Sequence, residues 1–295
     1  MTTWHLAHGS TLELSRPAVV GILNITPDSF ADGGRHMDPA AACAAAARMA
    51  QAGAHMLDIG GESTRPGSQR VSPEEQLARI LPVIKAIRNT PGVLSTLPLS
   101  VDTTHACVAR PAIDAGANAI NDVSGGTEDP FILNLAASTG AGLILMHRLR
   151  EPGQDQYSDR YAAAPDYGNV VDAIGSCFES LLIPAARERG VGSSQIVIDP
   201  GLGFGKSVDD NLQLIRGTPS FMTRLQLPLM SALSRKSFVG RISLGRESTP
   251  EERLAGTLAL SIEHLRFGAR LFRVHDVPEH VQALAAAWAL QTLPT

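Results

Sequence analysis

The stretch Ile196-Val-Ile-Asp-Pro-Gly-Leu-Gly-Phe-Gly-Lys206 decides how the chain is read. Ile196, Val197 and Ile198 are apolar and β-branched, suited to a strand buried on both faces. Asp199 ends that run, and Pro200 cannot donate to a sheet ladder, so the strand stops there. Gly201, Gly203 and Gly205 supply a loop whose backbone can approach a ligand closely. A carboxylate at a strand's C-terminal end followed by a glycine loop is where parallel α/β proteins place binding sites. Read alone, the segment also admits a blander reading, a helix-entry turn with a solvated aspartate. The other strand ends decide between the two.

Working outward, the same unit recurs. Val19–Leu23 is a strand ending at Asn24, followed by the loop Thr26-Pro-Asp-Ser-Phe-Ala-Asp-Gly-Gly34. Pro39–Ala52 is an alanine-rich helix closed by Gly53. His55–Ile59 is the second strand, containing Asp58, and its loop is Gly60-Gly-Glu-Ser-Thr-Arg-Pro-Gly67. Ser72-Pro-Glu-Glu75 is a capped helix start. Leu99–Val101 ends at Asp102, and Ala119–Ile120 leads into Asn121-Asp122. Gly142–Leu145 ends near Met146-His147, and the polar segment 148–168 reads as a long loop. Val170, Ile174, Phe178, Leu181 and Ala185 have helical spacing, which predicts a helix over 169–189. Leu229–Leu233 is strand seven, with Ser234-Arg-Lys-Ser237 at its end, and Leu271–Val274 is strand eight. Between them Leu254, Leu258, Ile262 and Leu265 share one face of a helix over 250–267. Residues 3–14 hold two short alternating runs about a Gly-Ser turn, which predicts a β-hairpin plugging one end of the fold.

Eight strands alternating with helices predict a (β/α)8 TIM barrel with a short N-terminal β-hairpin, ahead of an open doubly wound sheet. No linker or low-complexity tract divides the chain, so one domain over residues 1–295 is expected. Composition fits this, with 44% hydrophobic and 18% charged residues. The net charge of −4 and the lack of a Lys/Arg run argue against a nucleic-acid partner. No apolar stretch approaches the ~18 residues of a membrane span. Cys43, Cys107 and Cys177 are scattered, with no Cys-x-x-Cys, and read as buried reduced thiols of a cytoplasmic protein.

The strand ends carry, in order, Asn24, Asp58, Asp102, Asn121, His147, Asp199, Lys236, Arg273 and His275. In a barrel these meet in one mouth, however distant in sequence. Any one of them has a bland reading as a cap or a loop anchor. All eight strands ending in polar groups is harder to explain by packing, which wants apolar layers there. Asp102, Asp199, Asn121 and Lys236 suit a flat polar heterocycle. Asn24, Arg65, Arg273 and His275 suit phosphate, with Asn24 a candidate ligand to a hard cation such as Mg²⁺. There is no zinc motif and no P-loop, and Gly-Phe-Gly-Lys206 is weak evidence by itself.

Seven motifs now stand in order. They are Gly21–Gly34, Asp58–Gly67, Ser100-Val-Asp-Thr103, Asn121-Asp122, Asp199–Lys206, Ser234-Arg-Lys-Ser237 and Arg273-Val-His-Asp276, and together they resemble dihydropteroate synthase over nearly the whole chain. The resemblance implies a transferase of folate biosynthesis that joins 6-hydroxymethyl-7,8-dihydropterin diphosphate to 4-aminobenzoate and releases pyrophosphate. It implies Mg²⁺ at Asn24, with Arg65, Arg273 and His275 holding the leaving group. Asp102, Asn121, Asp199, Phe204 and Lys236 would bind the pterin side. Thr64, Ser234 and the loops after strands one and two would complete the aminobenzoate site. Asp102, Arg65 and Lys236 are the residues expected to bear on catalysis, and a homodimer is expected through the last helices.

The chain departs from the family pattern at Ala232, where glycine is common, and at Arg148-Leu-Arg-Glu-Pro152, where Met-Gln-Gly is common. The alternatives are a pterin-binding methyltransferase domain and a non-catalytic pterin-binding paralogue. A methyl carrier has no diphosphate to expel, which disfavours the first, and retention of both loops disfavours the second.

Overall fold

A computed structural model describes residues 2–26 and 38–293. The loop expected over 26–34 therefore lies almost wholly outside the described residues. The chain opens with β1 (Thr3–His5) and β2 (Thr11–Glu13), an antiparallel pair. Eight barrel strands follow: β3 (Ala18–Asn24), β4 (Met56–Gly60), β5 (Leu99–Asp102), β6 (Ala119–Asp122), β7 (Gly142–Met146), β8 (Ile196–Asp199), β9 (Met230–Ser231) and β10 (Leu271–Val274). Their order is β8-β7-β6-β5-β4-β3-β10-β9, all parallel. A parallel bridge between Ile198 and Leu229 joins the two ends, so the sheet closes. The chain forms the TIM barrel that its alternation predicts.

The helices are α1 (Pro39–Gln51), α2 (Pro73–Asn89), α3 (Val93–Thr96), α4 (Ala106–Asp114), α5 (Phe131–Thr139), α6 (Val170–Cys177), α7 (Ile183–Glu188), α8 (Val208–Arg216), α9 (Thr218–Leu225), α10 (Ser237–Leu244), α11 (Leu254–Phe267) and α12 (Val277–Gln291). Strand alternation divides the core in two. Outward residues such as Val19, Leu57, Val101, Ile120, Ile196 and Ile198 pack under the helices. Inward residues Ala18, Val20, Met56, Ala119, Ile144, Val197, Met230 and Leu271 fill the barrel's lower interior together with Trp4, Leu6, Leu12 and Leu14 of the hairpin.

The hairpin is thus the expected plug. Trp4 is fully buried, and its indole N–H donates to the Gln195 carbonyl at 2.6 Å. Burying a tryptophan removes ~150–250 Å² of surface and contributes on the order of 4 kcal/mol. Gly142 must be glycine for this, because a Cβ there would lie 2.5 Å from Leu6 and 2.8 Å from Trp4.

Four expectations need correction. Strand seven is only Met230–Ser231, and the chain then turns, with Arg235 at a left-handed φ of 60°, into the unexpected helix α10. A π turn over Phe178–Leu182 joins α6 to α7 and advances the phase, so Leu182 is buried while Leu181 is 54% exposed. On α11 the buried residues are Thr257, Ser261, His264 and Leu265, leaving Leu254, Leu258 and Ile262 half-buried. That polar face is tolerated because His264 is paired on both ring nitrogens, with Thr218 Oγ1 and Ser231 Oγ, each at 2.9 Å. Finally, the thiols are unpaired, but none is buried as expected: Cys107 is exposed on α4, and Cys43 and Cys177 are half-buried.

Candidate active site

The period of two that fills the lower barrel also builds its mouth. On β8, Val197 faces the interior, so Asp199 faces it one layer higher. The same parity lifts Asp58 above Met56, Asn121 above Ala119 and Arg273 above Leu271. It also puts Ser100 and Asp102 on the inward face of β5, whose Leu99 and Val101 pack outward. The residues that would form the barrel's top apolar layer are instead acids, an amide and a guanidinium.

Arg273 is the centre of this layer. Its Nε donates to Asp58 Oδ2 at 2.6 Å and its Nη2 to Asp102 Oδ2 at 2.7 Å. Asp58 is 1% exposed and also accepts from Ser100 Oγ at 2.6 Å and Asn121 Nδ2 at 3.0 Å. Burial pushes the Asp102 carboxyl upward, opposed by the Arg273 guanidinium. For Arg273 itself burial pulls the pKa down, but Asp58 and Asp102 outweigh it and leave a net rise. Asn24, half-buried at the end of β3, flanks the same group, because Gly60 stands between Asn24 and Asp102 with no side chain.

A second cluster surrounds Asp199. Its Oδ1 accepts from the Gly201 amide at 2.7 Å. Burial raises the Asp199 pKa, and Lys236 and Lys206 oppose that rise. Lys236 donates from Nζ to the Leu202 carbonyl and lies 4.5 Å from the centroid of the Phe204 ring, a cation–π contact. Burial brings the Lys236 ammonium down to about 8. Phe204, Val123 and Met146 form a separate small apolar cluster. It gives the polar mouth a wall suited to a planar ring.

The glycine loop is fixed from behind. Lys206 is fully buried, and its Nζ donates to the Phe204 carbonyl at 2.9 Å and stands 3.1 Å from His147 Nδ1. Gly201 has φ of 71°, and a Cβ there would meet the His147 carbonyl oxygen at 1.8 Å. No other residue fits the turn.

At the rim, Ser234 Oγ pairs with His275 Nδ1 at 3.0 Å and accepts from the His275 amide at 3.2 Å. Burial and the neighbouring Arg273 hold the imidazole down at about 3, so His275 is a neutral ring at pH 7. Thr64 lines a small cavity together with Asp102, Thr103 and Val123. Arg65 is exposed on the same loop, yet its charge also contributes to depressing His275.

The structure therefore brings Asp102, Asn121 and Arg273 into one bonded cluster, with Asn24 beside it, and Asp199, Phe204 and Lys236 into a second. Ser234 and His275 form a rim pair, and Thr64 and Arg65 reach the mouth on their loop. Sequence reasoning left Asp58 and Lys206 without a role, although Asp58 is the acceptor that joins four elements. Its position inside a strand, at the parity of Met56, was the available signal.

Residues 20–275 match the family of pterin binding enzymes. A dihydropteroate synthase of Synechocystis is 43% identical over 275 residues, covering 93% of this chain and 90% of that protein. The structure of Xanthomonas albilineans dihydropteroate synthase with 4-aminobenzoic acid superposes with a TM-score of 0.86 at 42% identity, covering 99% of this chain and 100% of that one. The same enzyme in complex with 7,8-dihydropteroate gives a TM-score of 0.82 at 39% identity, covering 98% and 100%.

Proposed function

The chain belongs to the dihydropteroate synthase family, transferases of folate biosynthesis, and from that premise we propose how its barrel mouth performs the reaction. The pterin lies against Phe204, Val123 and Met146. Asp199 accepts two adjacent N–H groups of its amino-pyrimidinone edge, and Asp102, Asn121 and Lys236 take the remaining polar edge. Arg65, Arg273 and His275 face the diphosphate, His275 as a neutral hydrogen-bonding group. The carbon–oxygen bond to the diphosphate breaks first, and the electron pair leaves with pyrophosphate. The anionic Asp102 and Asp199 stabilise the pterin-methylene cation that develops. The neutral arylamine of 4-aminobenzoate, held near Thr64 and Ser234, forms the new carbon–nitrogen bond and then loses a proton. No strong base is required. Asp102, Arg65 and Lys236 act on the reacting groups directly.

The donor chemistry at Asn24 fits Mg²⁺. An amide oxygen near the Asp102 carboxylate is a hard donor set. An ion bound mainly by phosphate oxygens and water needs only such a partial set. When bound it would neutralise charge developing on the leaving group.

We further take residues 1–295 as one catalytic domain that works as a homodimer, through the half-buried Leu254, Leu258 and Ile262 of α11 and the neighbouring α12. Three unpaired thiols fit a reducing cytoplasm. No described helix is long and apolar enough to cross a membrane.

The observation that carries the reading is the bonded Asp58–Arg273–Asp102 group at the barrel's C-terminal mouth, beside the buried Asp199. Its test is to supply the pterin diphosphate, 4-aminobenzoate and Mg²⁺ to the purified protein. Dihydropteroate and pyrophosphate should appear in equal amounts. Tight pterin binding with no pyrophosphate release would instead identify a binding paralogue.

A further inference from the structure

The loop between β4 and α2 carries Thr64 and Arg65 and is fixed at two levels. At its stem, Glu62 accepts from the Val71 amide at 2.9 Å and from Gln76 Nε2 at 3.1 Å. At its tip, it is tied to the loops after β6 and β7. The Gly67 amide donates to the Pro152 carbonyl at 2.9 Å. Arg70 places Nη1 at 2.9 Å from Glu128 Oε1 and Nη2 at 3.1 Å from Glu128 Oε2. Arg148 Nη2 reaches the same Glu128 Oε1 at 2.5 Å from the other side.

An exposed ion pair would count for little. Here the Arg148 side chain is 7% exposed and that of Glu128 15%, with only Arg70 open to solvent at 39%. Burial works against the Glu128 carboxylate, but hydrogen bonds from Arg70 and Arg148 prevail and hold its pKa at about 2. Removing Arg148 takes one of two cations from a largely desolvated carboxylate and leaves Arg70, the more exposed one, to hold it alone. Arg148 also lines the small cavity shared by Ser63, Thr64 and Asp102, so the latch and the mouth are contiguous.

We propose that Arg148 is a positioning residue: through Glu128 and Arg70 it latches the Thr64–Arg65 loop over the barrel mouth before the second substrate arrives. The inference rests on the reading above, in which that loop completes the 4-aminobenzoate site. A loop held in its binding arrangement spares the substrate the cost of selecting that arrangement from an open ensemble. Unlatching therefore weakens apparent affinity for the second substrate and leaves pterin binding, which relies on the strand ends, unchanged.

The test compares wild type with Arg148→Gln and with Arg70→Gln, whose solvent-side position spares the fold. Amide hydrogen exchange over residues 61–72 of the free protein should accelerate in both variants. The KM for 4-aminobenzoate should rise about 5- to 30-fold while pterin affinity stays within about twofold. Unchanged exchange in Arg70→Gln, or equal losses for both substrates in a well-folded Arg148→Gln, overturns the latch. The exchange experiment needs no turnover. Faster exchange in a protein that makes no dihydropteroate would therefore uphold the latch while rejecting the reaction.

Discussion

Arg273 Nη2 lies 2.7 Å from Asp102 Oδ2, an ion pair between β10 and β5 that spans 171 residues of sequence. Arg273 also holds Asp58 at 2.6 Å, so one guanidinium is the counter-charge shared by two buried acids. Its removal by Arg273→Met would leave both carboxylates without a counter-charge. Breaking a buried pair in this way costs ~3–5 kcal/mol, and urea unfolding should show a loss of that order. A loss below ~1 kcal/mol would mean that water already screens the acids.

Much of this was legible in the sequence. The barrel and its polar strand ends follow from short apolar runs that stop at polar residues, and the hairpin plug from two alternating runs, because each of these patterns is local. What was not legible depends on partners distant in sequence. The depressed His275 requires knowledge of its burial and of the nearby Arg273 charge. The buried face of α11 requires Thr218 and Ser231 to satisfy His264. The slip from Leu181 to Leu182 requires a π turn, which leaves no compositional mark. Asp58 read as a loop anchor until its four elements met.

Lys236 gives a pH prediction. Its ammonium is depressed to about 8, by burial first, with Arg273 adding to the depression and Asp199 and Asp102 opposing it. The cation is present below that pH and lost above it. Pterin affinity should therefore fall as pH rises beyond about 8, by up to about tenfold per unit. Lys236→Arg, which stays charged, should abolish that alkaline limb in a binding titration even if its affinity is lower throughout. An identical limb in the variant would assign the titration to another group, Lys206 being the nearest alternative.

His264 makes a stability prediction away from the mouth. Burial lowers its pKa from 6.5 to about 3, so the unfolded chain binds the proton more readily. The stability from the neutral imidazole is present in full above about pH 6.5 and is lost as pH falls toward 3. Between pH 7 and pH 5 the contribution should shrink by ~2 kcal/mol. His264→Gln should flatten the wild-type difference in unfolding free energy between those two pH values by about that amount. Equal pH dependence in the two proteins would show that His264 stays hydrated or charged.

The central claim is that Asp199 anchors the pterin through its carboxylate, and Asp199→Asn tests it most directly. The variant keeps the size of the side chain, and its oxygen still can accept from the Gly201 amide, as Asp199 Oδ1 does at 2.7 Å. It replaces the second acceptor with a donor, so one pterin N–H would face another N–H. Losing a charge-assisted pair and stranding a buried donor should cost ~2–4 kcal/mol in pterin affinity, about 30- to 1000-fold. Calorimetric titration with the pterin diphosphate, beside a thermal melt, gives the answer. The account predicts wild-type melting with that loss of affinity. A variant that melts like wild type and binds pterin within about threefold, a difference near ~0.65 kcal/mol, would contradict it.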